Sequence, residues 1–163
     1  HRRLVGSEMC IRDSYNRSLE GWYTENAGDD WNDSIATAMS VLTEESKLQE
    51  IVQLVGSDAL PEDQQLTLEV ARMLREFYLQ QNAFHDVDTY CTIQNQYKFL
   101  SVVLHYKELA EKAMNSGIEL DKVIGLPILE DIGRAKFEEN MDELLDKYDK
   151  TMANDFAKLM EEA

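Results

Sequence analysis

The chain has few of the residues that carry enzyme chemistry or cross-link a fold. Its two cysteines, Cys10 and Cys91, lie far apart, without a CxxC pair or a Cys/His cluster. This spacing argues against a disulfide framework and a structural zinc site, and it suits a reducing cytoplasm. No GxxxxGK[ST], HExxH, GxSxG or GxGxxG motif occurs in the sequence. The chain alone therefore has no recognisable means of hydrolysing ATP, and we identify no catalytic residue.

Long apolar runs and basic residues are also scarce. No run approaches the roughly 18–20 apolar residues of a membrane span, and no signal-peptide core occurs near the start. The 32 acidic residues outnumber the 16 basic ones, for a net charge of −16. Such a chain repels phosphate backbones and anionic lipid, which disfavours nucleic-acid binding and direct membrane insertion. The acidity indicates solvated helix faces or a basic partner.

The first residues differ from the remainder. Residues 1–13 carry three of the sixteen basic residues and show no periodicity. We expect them to be a non-native or disordered leader and residues 14–163 to form one helical domain. A genuine disordered N-terminal arm is the alternative.

The following segments show helical periodicity. A first helix should begin near Asn32 and Asp33, which are good N-cap residues, and end at Gly56. Its apolar positions at near-helical spacing predict the buried stripe: Ile35, Met39, Leu42, Leu48, Ile51, Val52 and Val55. A second helix should start at Pro61 and bury another such set: Leu66, Val70, Leu74, Phe77 and Tyr78.

Three more helical stretches complete the prediction. One long helix should run to about Ser116 and end at Gly117, followed by short helical pieces up to Lys136. A final helix over about residues 140–162 should bury a regular stripe: Met141, Leu144, Leu145, Tyr148, Met152, Phe156 and Leu159. Because no strand-like alternation occurs, we predict an all-α fold, a compact bundle of about five to six helices.

Outside these stripes, we predict that two tryptophans are buried and that three acidic pairs are exposed. Trp22 and Trp31 should anchor the early segment on the domain by burying large apolar surfaces. Three acidic pairs should form exposed negative patches, either solvated or facing a basic partner: Glu44-Glu45, Glu130-Asp131 and Glu138-Glu139.

The segment after the second helix is the candidate binding loop. Residues 68–91 read LEVARMLREFYLQQNAFHDVDTYC, in which aromatic and amide side chains are concentrated. A ring such as Phe84 can stack on a purine, and Gln80, Gln81 and Asn82 offer amide groups to its edge. The alternative is that the rings are core, as Phe77 on its apolar stripe suggests. Phe84 lies outside the helical register and is the better ligand candidate.

His85, Asp86 and Asp88 form the one acid/histidine cluster. A carboxylate beside an imidazole can act as a general base or a weak metal site, but no second His or Cys completes a coordination shell. Loop aspartates more often cap helices or form Asx turns, so we predict no metal site. His105 lies within a helix and should be a half-buried histidine with a hydrogen-bond partner.

Four sequence blocks together cover most of residues 14–136. They are SLEGWYTEN with the following DDW, the long block LQEIVQLVGSDALPEDQQLTLEVARMLREFYLQQNAFHDVDTYC, then QYKFLSVVLHYKELAEKA and LPILEDIGRAK. These blocks resemble the C-terminal helical domain of the catalytic A subunit of A/V-type rotary ATPases, in the archaeal and bacterial form. AGDD before Trp31 is slightly longer than the turn expected there.

The resemblance implies a role in nucleotide binding. Phe84 would pack against the adenine of ATP held by a nucleotide-binding core upstream, Gln81 would border that pocket, and Phe77 would support it. The complete subunit would bind ATP or ADP with Mg²⁺ and couple ATP synthesis or hydrolysis to proton or sodium transport. The chain alone would be inactive and would bind no cofactor.

The same resemblance implies partners and a location. These are the B-type subunits and the central stalk of a rotary ATPase, in a soluble sector on the cytoplasmic side of a membrane. The alternative function is a stand-alone acidic helical module that binds other proteins without nucleotide chemistry.

Overall fold

A computed structural model of the chain describes residues 21–25, 28, 30–80, 92–138 and 140–161. Every regular element in these ranges is a helix, and none is a strand, which confirms the all-α prediction. No helix among the described residues has both the length and the apolar character needed to cross a bilayer.

Helix α1 spans Trp31–Val55. The predicted caps, Asn32 and Asp33, lie inside the helix, because its first residue is Trp31. The tryptophan is buried, and its ring stacks on that of Tyr23 at 5.3 Å between centroids. The helix thus begins at a buried tryptophan without a side-chain cap, and the Trp31 anchor is confirmed. Trp22 is about half exposed and contacts Tyr23 edge-on, so it anchors less than predicted.

The predicted buried stripe of α1 is partly wrong. Met39, Ile51 and Val55 are exposed, while Leu48 is buried as predicted. The residues that α1 buries are Trp31, Ala38, Val41, Glu45 and Leu48. Apolar residues stand on more than one face of this helix, so spacing alone selected the wrong face toward its end.

Glu45 is buried, although an exposed acidic patch was predicted for Glu44-Glu45. Glu44 is exposed, but Glu45 is only 4% exposed. Its Oε1 lies 2.5 Å from Nη1 of Arg75, which compensates the buried charge. The predicted exposure holds for Glu130, Asp131 and Glu138, and Glu139 lies outside the described residues.

Helix α1 ends at Gly56, whose φ of 86° lies in the left-handed region that glycine adopts without strain. Helix α2 then spans Glu62–Met73, directly after Pro61. It continues as a π-helical turn, Leu74–Leu79. The N–H of Gln80 donates to the carbonyl of Arg75 at 2.9 Å, which is the wider hydrogen bond of a π-helix.

Helix α3, Ile93–Asn115, crosses the centre of the domain. Thr92 caps it by accepting a hydrogen bond from the N–H of Asn95 at 3.2 Å. This helix buries Phe99, Leu100, Val102, Val103, Tyr106, Ala110 and Ala113. The Tyr106 hydroxyl is buried and has no hydrogen-bond partner among the described atoms; burial raises the pKa of this phenol.

The remaining elements are α4 (Leu120–Ile124), α5 (Ile128–Arg134), a 3₁₀ turn (Ala135–Phe137) and α6 (Met141–Glu161). The predicted α6 stripe is confirmed, with four members buried and Leu144, Tyr148 and Leu159 half-buried. The described ranges thus contain α1–α6 and the helical residues 21–25, in line with the predicted bundle.

Polar contacts tie α6 to α3. Lys98 Nζ lies 2.6 Å from Asp142 Oδ1 and 2.7 Å from Asp146 Oδ2. Burial lowers the pKa of Lys98, but hydrogen bonds to the two carboxylates outweigh it and hold that pKa above its ordinary value. His105 Nδ1 lies 2.6 Å from Asp149 Oδ1, which confirms a partly buried, hydrogen-bonded histidine.

Candidate functional site

The π-helical turn places Phe77 on the wall of a cleft of about 1100 Å³. Gln81 and Phe84 lie outside the described residues, as does the cluster of His85, Asp86 and Asp88. The cleft lies between the end of α2, the α4–α5 connection, α5 and the 3₁₀ turn. Its lining residues are Arg72, Glu76, Phe77, Gln80, Ile124, Gly125, Leu126, Pro127, Leu129, Glu130, Gly133, Arg134, Lys136 and Phe137.

The Phe77 ring is held from two sides. It packs against the backbone of α5 at Gly133, where an added Cβ would lie 2.7 Å from Phe77 Cε1. On another side, Cζ of Arg72 lies 5.5 Å from the ring centroid, within cation–π range. Glycine at position 133 therefore leaves space for the ring. The half-buried Phe77 packs against the hydrophobic core and also lines the cleft.

This packing predicts the effect of Gly133→Ala. Alanine normally stabilises a helix interior relative to glycine by about 1 kcal/mol. Here we expect the free energy of unfolding to fall by about 1–2 kcal/mol, because the new methyl group overpacks against Phe77. Urea denaturation followed by circular dichroism measures the change. Gly21→Ala is the matched control, since nothing lies within 4 Å of a Cβ there.

A double variant tests the cause of that loss. Phe77→Leu removes the ring atoms that the new methyl group would meet, so Gly133→Ala should be less destabilising in that background. If Gly133→Ala stabilised the chain as much as Gly21→Ala does, the ring would not pack against α5.

Arg72 is already neutralised on its own helix. Its guanidinium donates to Glu69 through Nε at 2.9 Å and Nη2 at 2.5 Å, and to Glu76 through Nη1 at 2.6 Å. The hydrogen bond to Glu69 is the main cause that raises the pKa of Arg72, and Glu76 adds to it. The arginine therefore orients the Phe77 ring and offers little unpaired charge to an anion.

Lys136 crosses the cleft to the end of the π-helical turn. Its Nζ donates to the carbonyl of Glu76 at 2.8 Å and to that of Gln80 at 3.1 Å. The ammonium also lies 5.1 Å from the centroid of the Phe137 ring. The last carbonyls of a helix have no intrahelical donor, and a lysine placed there satisfies them and complements the helix dipole.

The charges of the cleft favour an uncharged planar group over a polyanion. Arg134, the third cation, pairs with Glu130 at 3.2 Å, so Arg72, Arg134 and Lys136 all contact a carboxylate or a carbonyl. The half-buried Phe77 and the exposed amide of Gln80 remain for a ligand with an aromatic face and polar edge atoms. Among the described residues, no three His, Cys, Asp or Glu side chains are grouped to hold a metal ion.

The resemblance names Phe77 for the pocket, whereas the residues that pack on it or hold its turn, Gly133 and Lys136, were not predicted. Gly133 and Lys136 lie 56 and 59 positions after Phe77, so local periodicity carries no signal of their contacts. Both residues lie in the LPILEDIGRAK block, whose resemblance to the family identifies the segment but not its contact with Phe77.

Residues 20–124 match the family model described as the C-terminal domain of V and A type ATP synthase. The chain is 47% identical over 151 residues to the A subunit of the A-type ATP synthase of Methanopyrus kandleri, covering 91% of the chain and 26% of that protein. It is 46% identical to the corresponding protein of Methanosarcina acetivorans, covering 89% of the chain and 25% of that protein.

A bacterial relative is equally similar. The V-type ATP synthase alpha chain 1 of Clostridium tetani is 46% identical over 140 residues, which is 85% of this chain and 24% of that protein. The chain thus spans about a quarter of the length of the curated relatives it matches.

Proposed function

This chain belongs to the family of C-terminal domains of V and A type ATP synthases, and we propose that it forms the helical domain of a catalytic A subunit. The complete subunit would synthesise or hydrolyse ATP, with proton or sodium transport coupled to it through a membrane sector. Residues 14–163 would be this domain. The match of residues 20–124 to the family model is the observation that carries the proposal.

In this proposal the domain supplies one wall of the adenine pocket. Phe84 would stack on the base, Gln81 would border it, and Phe77 would support the wall from behind. The placement of Phe77 supports this arrangement, because its ring lies at the cleft and is braced by Gly133 and Arg72. An aromatic wall next to amide groups suits a purine, which has an apolar face and a polar edge.

The triphosphate and its Mg²⁺ would be held by a nucleotide-binding core outside this sequence. Phosphate binding by a P-loop needs glycine-supplied backbone amides and a Lys-Ser/Thr pair, which the sequence lacks. In the cleft, Arg72 and Arg134 already pair with carboxylates, and Lys136 already donates to two backbone carbonyls. Mg²⁺ would supply charge neutralisation at the phosphates when bound, whereas the residues of this chain would bind and orient the base.

A second surface suits the central stalk. At the end of α1, Ile51, Leu54 and Val55 are exposed, and Leu54 is 85% exposed. Exposed acidic residues flank them, including Glu50 and Asp58. An apolar patch with an acidic rim fits a partner helix that is apolar and basic. We place the central-stalk subunits here, with B-type subunits beside the domain in a soluble sector on the cytoplasmic side of the membrane.

The alternative, an acidic interaction module without a nucleotide role, is not favoured. The patch on α1 fits that function as well. However, the similarity extends over 85–91% of the chain to subunits of ATP synthases.

The adenine wall is tested by Phe84→Ala in the complete protein, assembled with its partners. Stacking of an aromatic ring on a base contributes about 1–3 kcal/mol, so the Kd for ATP should rise roughly 5- to 150-fold. Equilibrium titration with a fluorescent ATP analogue measures it. Trp22→Ala is the control, since it also removes an aromatic ring and should leave the affinity unchanged. An unchanged Kd in Phe84→Ala would overturn the stacking role.

A further inference from the structure

We propose that Lys136 is a positioning residue for the adenine pocket. By donating to the carbonyls of Glu76 and Gln80, it would hold the end of the π-helical turn and determine how Phe77 is presented to the base. The inference rests on the proposed function, because it concerns the same pocket, and it assigns Lys136 a role through the carbonyls to which it donates.

The carbonyls that Lys136 contacts are the ones that define this helix end. Glu76 and Gln80 flank Phe77 in sequence, and Lys136 Nζ donates to both, at 2.8 Å and 3.1 Å. One ammonium group therefore bridges the last π-helical turn on both sides of the aromatic residue. Without the Lys136 donor, one of these carbonyls would lose its hydrogen bond. The π-helical turn would then be able to rearrange into an ordinary α-helical end.

The position of Lys136 is itself set by the core. The preceding residue, Ala135, is 1% exposed, and Ile132 one turn earlier is fully buried. The 3₁₀ turn is closed by the N–H of Glu138 donating to the carbonyl of Ala135 at 3.1 Å. The buried residues beside Lys136 hold its backbone in place. Its long side chain therefore connects α5 to the wall of the cleft.

Gly133 contributes from the same element. The Phe77 ring packs against Gly133. Three residues later, Lys136 donates to the carbonyls of Glu76 and Gln80, which precede and follow Phe77 in the chain. Helix α5 and its 3₁₀ turn therefore contact both the Phe77 ring and the backbone at the end of the π-helical turn. This pairing, between segments about 60 residues apart, points to positioning of the pocket and not only to local helix capping.

The test is Lys136→Met in the complete protein, assembled with its partners. Methionine keeps an unbranched stem of similar length but cannot donate. Because each lost hydrogen bond is a modest contribution, we expect the Kd for ATP to rise roughly three- to tenfold. The Kd for inorganic tripolyphosphate, which has no base, should not change. Lys136→Arg, which keeps donors at the same place, should restore ATP binding.

Lys122→Met is the matched control, since Lys122 is exposed on α4 and its loss changes the net charge equally. Lys136→Leu, which also cannot donate a hydrogen bond, carries the same expectation if Lys136→Met fails to assemble. An unchanged ATP affinity would overturn the inference, and so would an equal loss of ATP and tripolyphosphate binding. If Phe84→Ala weakens ATP binding and Lys136→Met does not, this inference alone fails; if Phe84→Ala has no effect, the proposed adenine wall fails.

Discussion

Replacing Phe156 with alanine should lower the free energy of unfolding by about 3–5 kcal/mol. Phe156 lies on α6 and is fully buried, and its ring centroid lies 5.9 Å from that of Tyr106 on α3. Truncation removes both the apolar burial and the ring contact and leaves a cavity between the two helices. Because Tyr106 is itself fully buried, little can collapse into that space. Urea denaturation of the chain, monitored by far-UV circular dichroism, measures the loss.

Phe137→Ala is the control for that experiment. The side chain changes in the same way, but Phe137 is 38% exposed, so its loss should be smaller than about 1.5 kcal/mol. Equal destabilisation by the two substitutions would contradict the packing of α6 on α3 through Phe156.

The contrast between α6 and α1 shows what the sequence could predict. In α6, polar residues separate the apolar positions cleanly, so one stripe is possible and Met141, Leu145, Met152 and Phe156 are buried as predicted. Helix α1 has apolar residues around more of its circumference, and the fold leaves Met39, Ile51 and Val55 exposed. Periodicity predicts which residues share a face, but only tertiary packing decides which of two apolar faces is buried.

The helix ends were predictable where glycine requires them. Gly56 and Gly117 both have positive φ, at 86° and 92°, and both lie where a helix end was predicted. The start of α1 was predicted to within one or two residues, but the helix begins at the buried Trp31 and has no side-chain cap. Local capping rules carry no information about an aromatic ring that packs on another segment.

The candidate site was predictable only in part. The family resemblance named Phe77 for the pocket; its ring lies on the wall of the cleft, and its supporting role stays a prediction. The π-helical turn and the contacts of Lys136 and Gly133 depend on segments that meet only in the folded chain. The roles of Gln81 and Phe84 remain predictions, since both lie outside the described residues.

Buried charge gives the second large expected effect. Glu45 is 4% exposed, and the guanidinium of Arg75 lies 2.5 Å from its Oε1, with the amide of Gln49 at 3.5 Å. Removing one partner of a buried ion pair destabilises a protein by about 3–5 kcal/mol, because the other charge is left uncompensated. The Arg75 side chain is half exposed, so water screens part of the effect. We expect Arg75→Met to lower the free energy of unfolding by about 2–3 kcal/mol.

The same substitution at an exposed pair is the control. Arg134 and Glu130 are 73% and 78% exposed, so Arg134→Met should change stability by less than about 0.5 kcal/mol. Adding Glu45→Leu to Arg75→Met removes the stranded carboxylate and should recover most of the lost stability. That recovery separates the burial of charge from the loss of arginine packing, because only the former disappears when Glu45 is replaced. A double variant no more stable than Arg75→Met would show that Glu45 is not the source of the penalty.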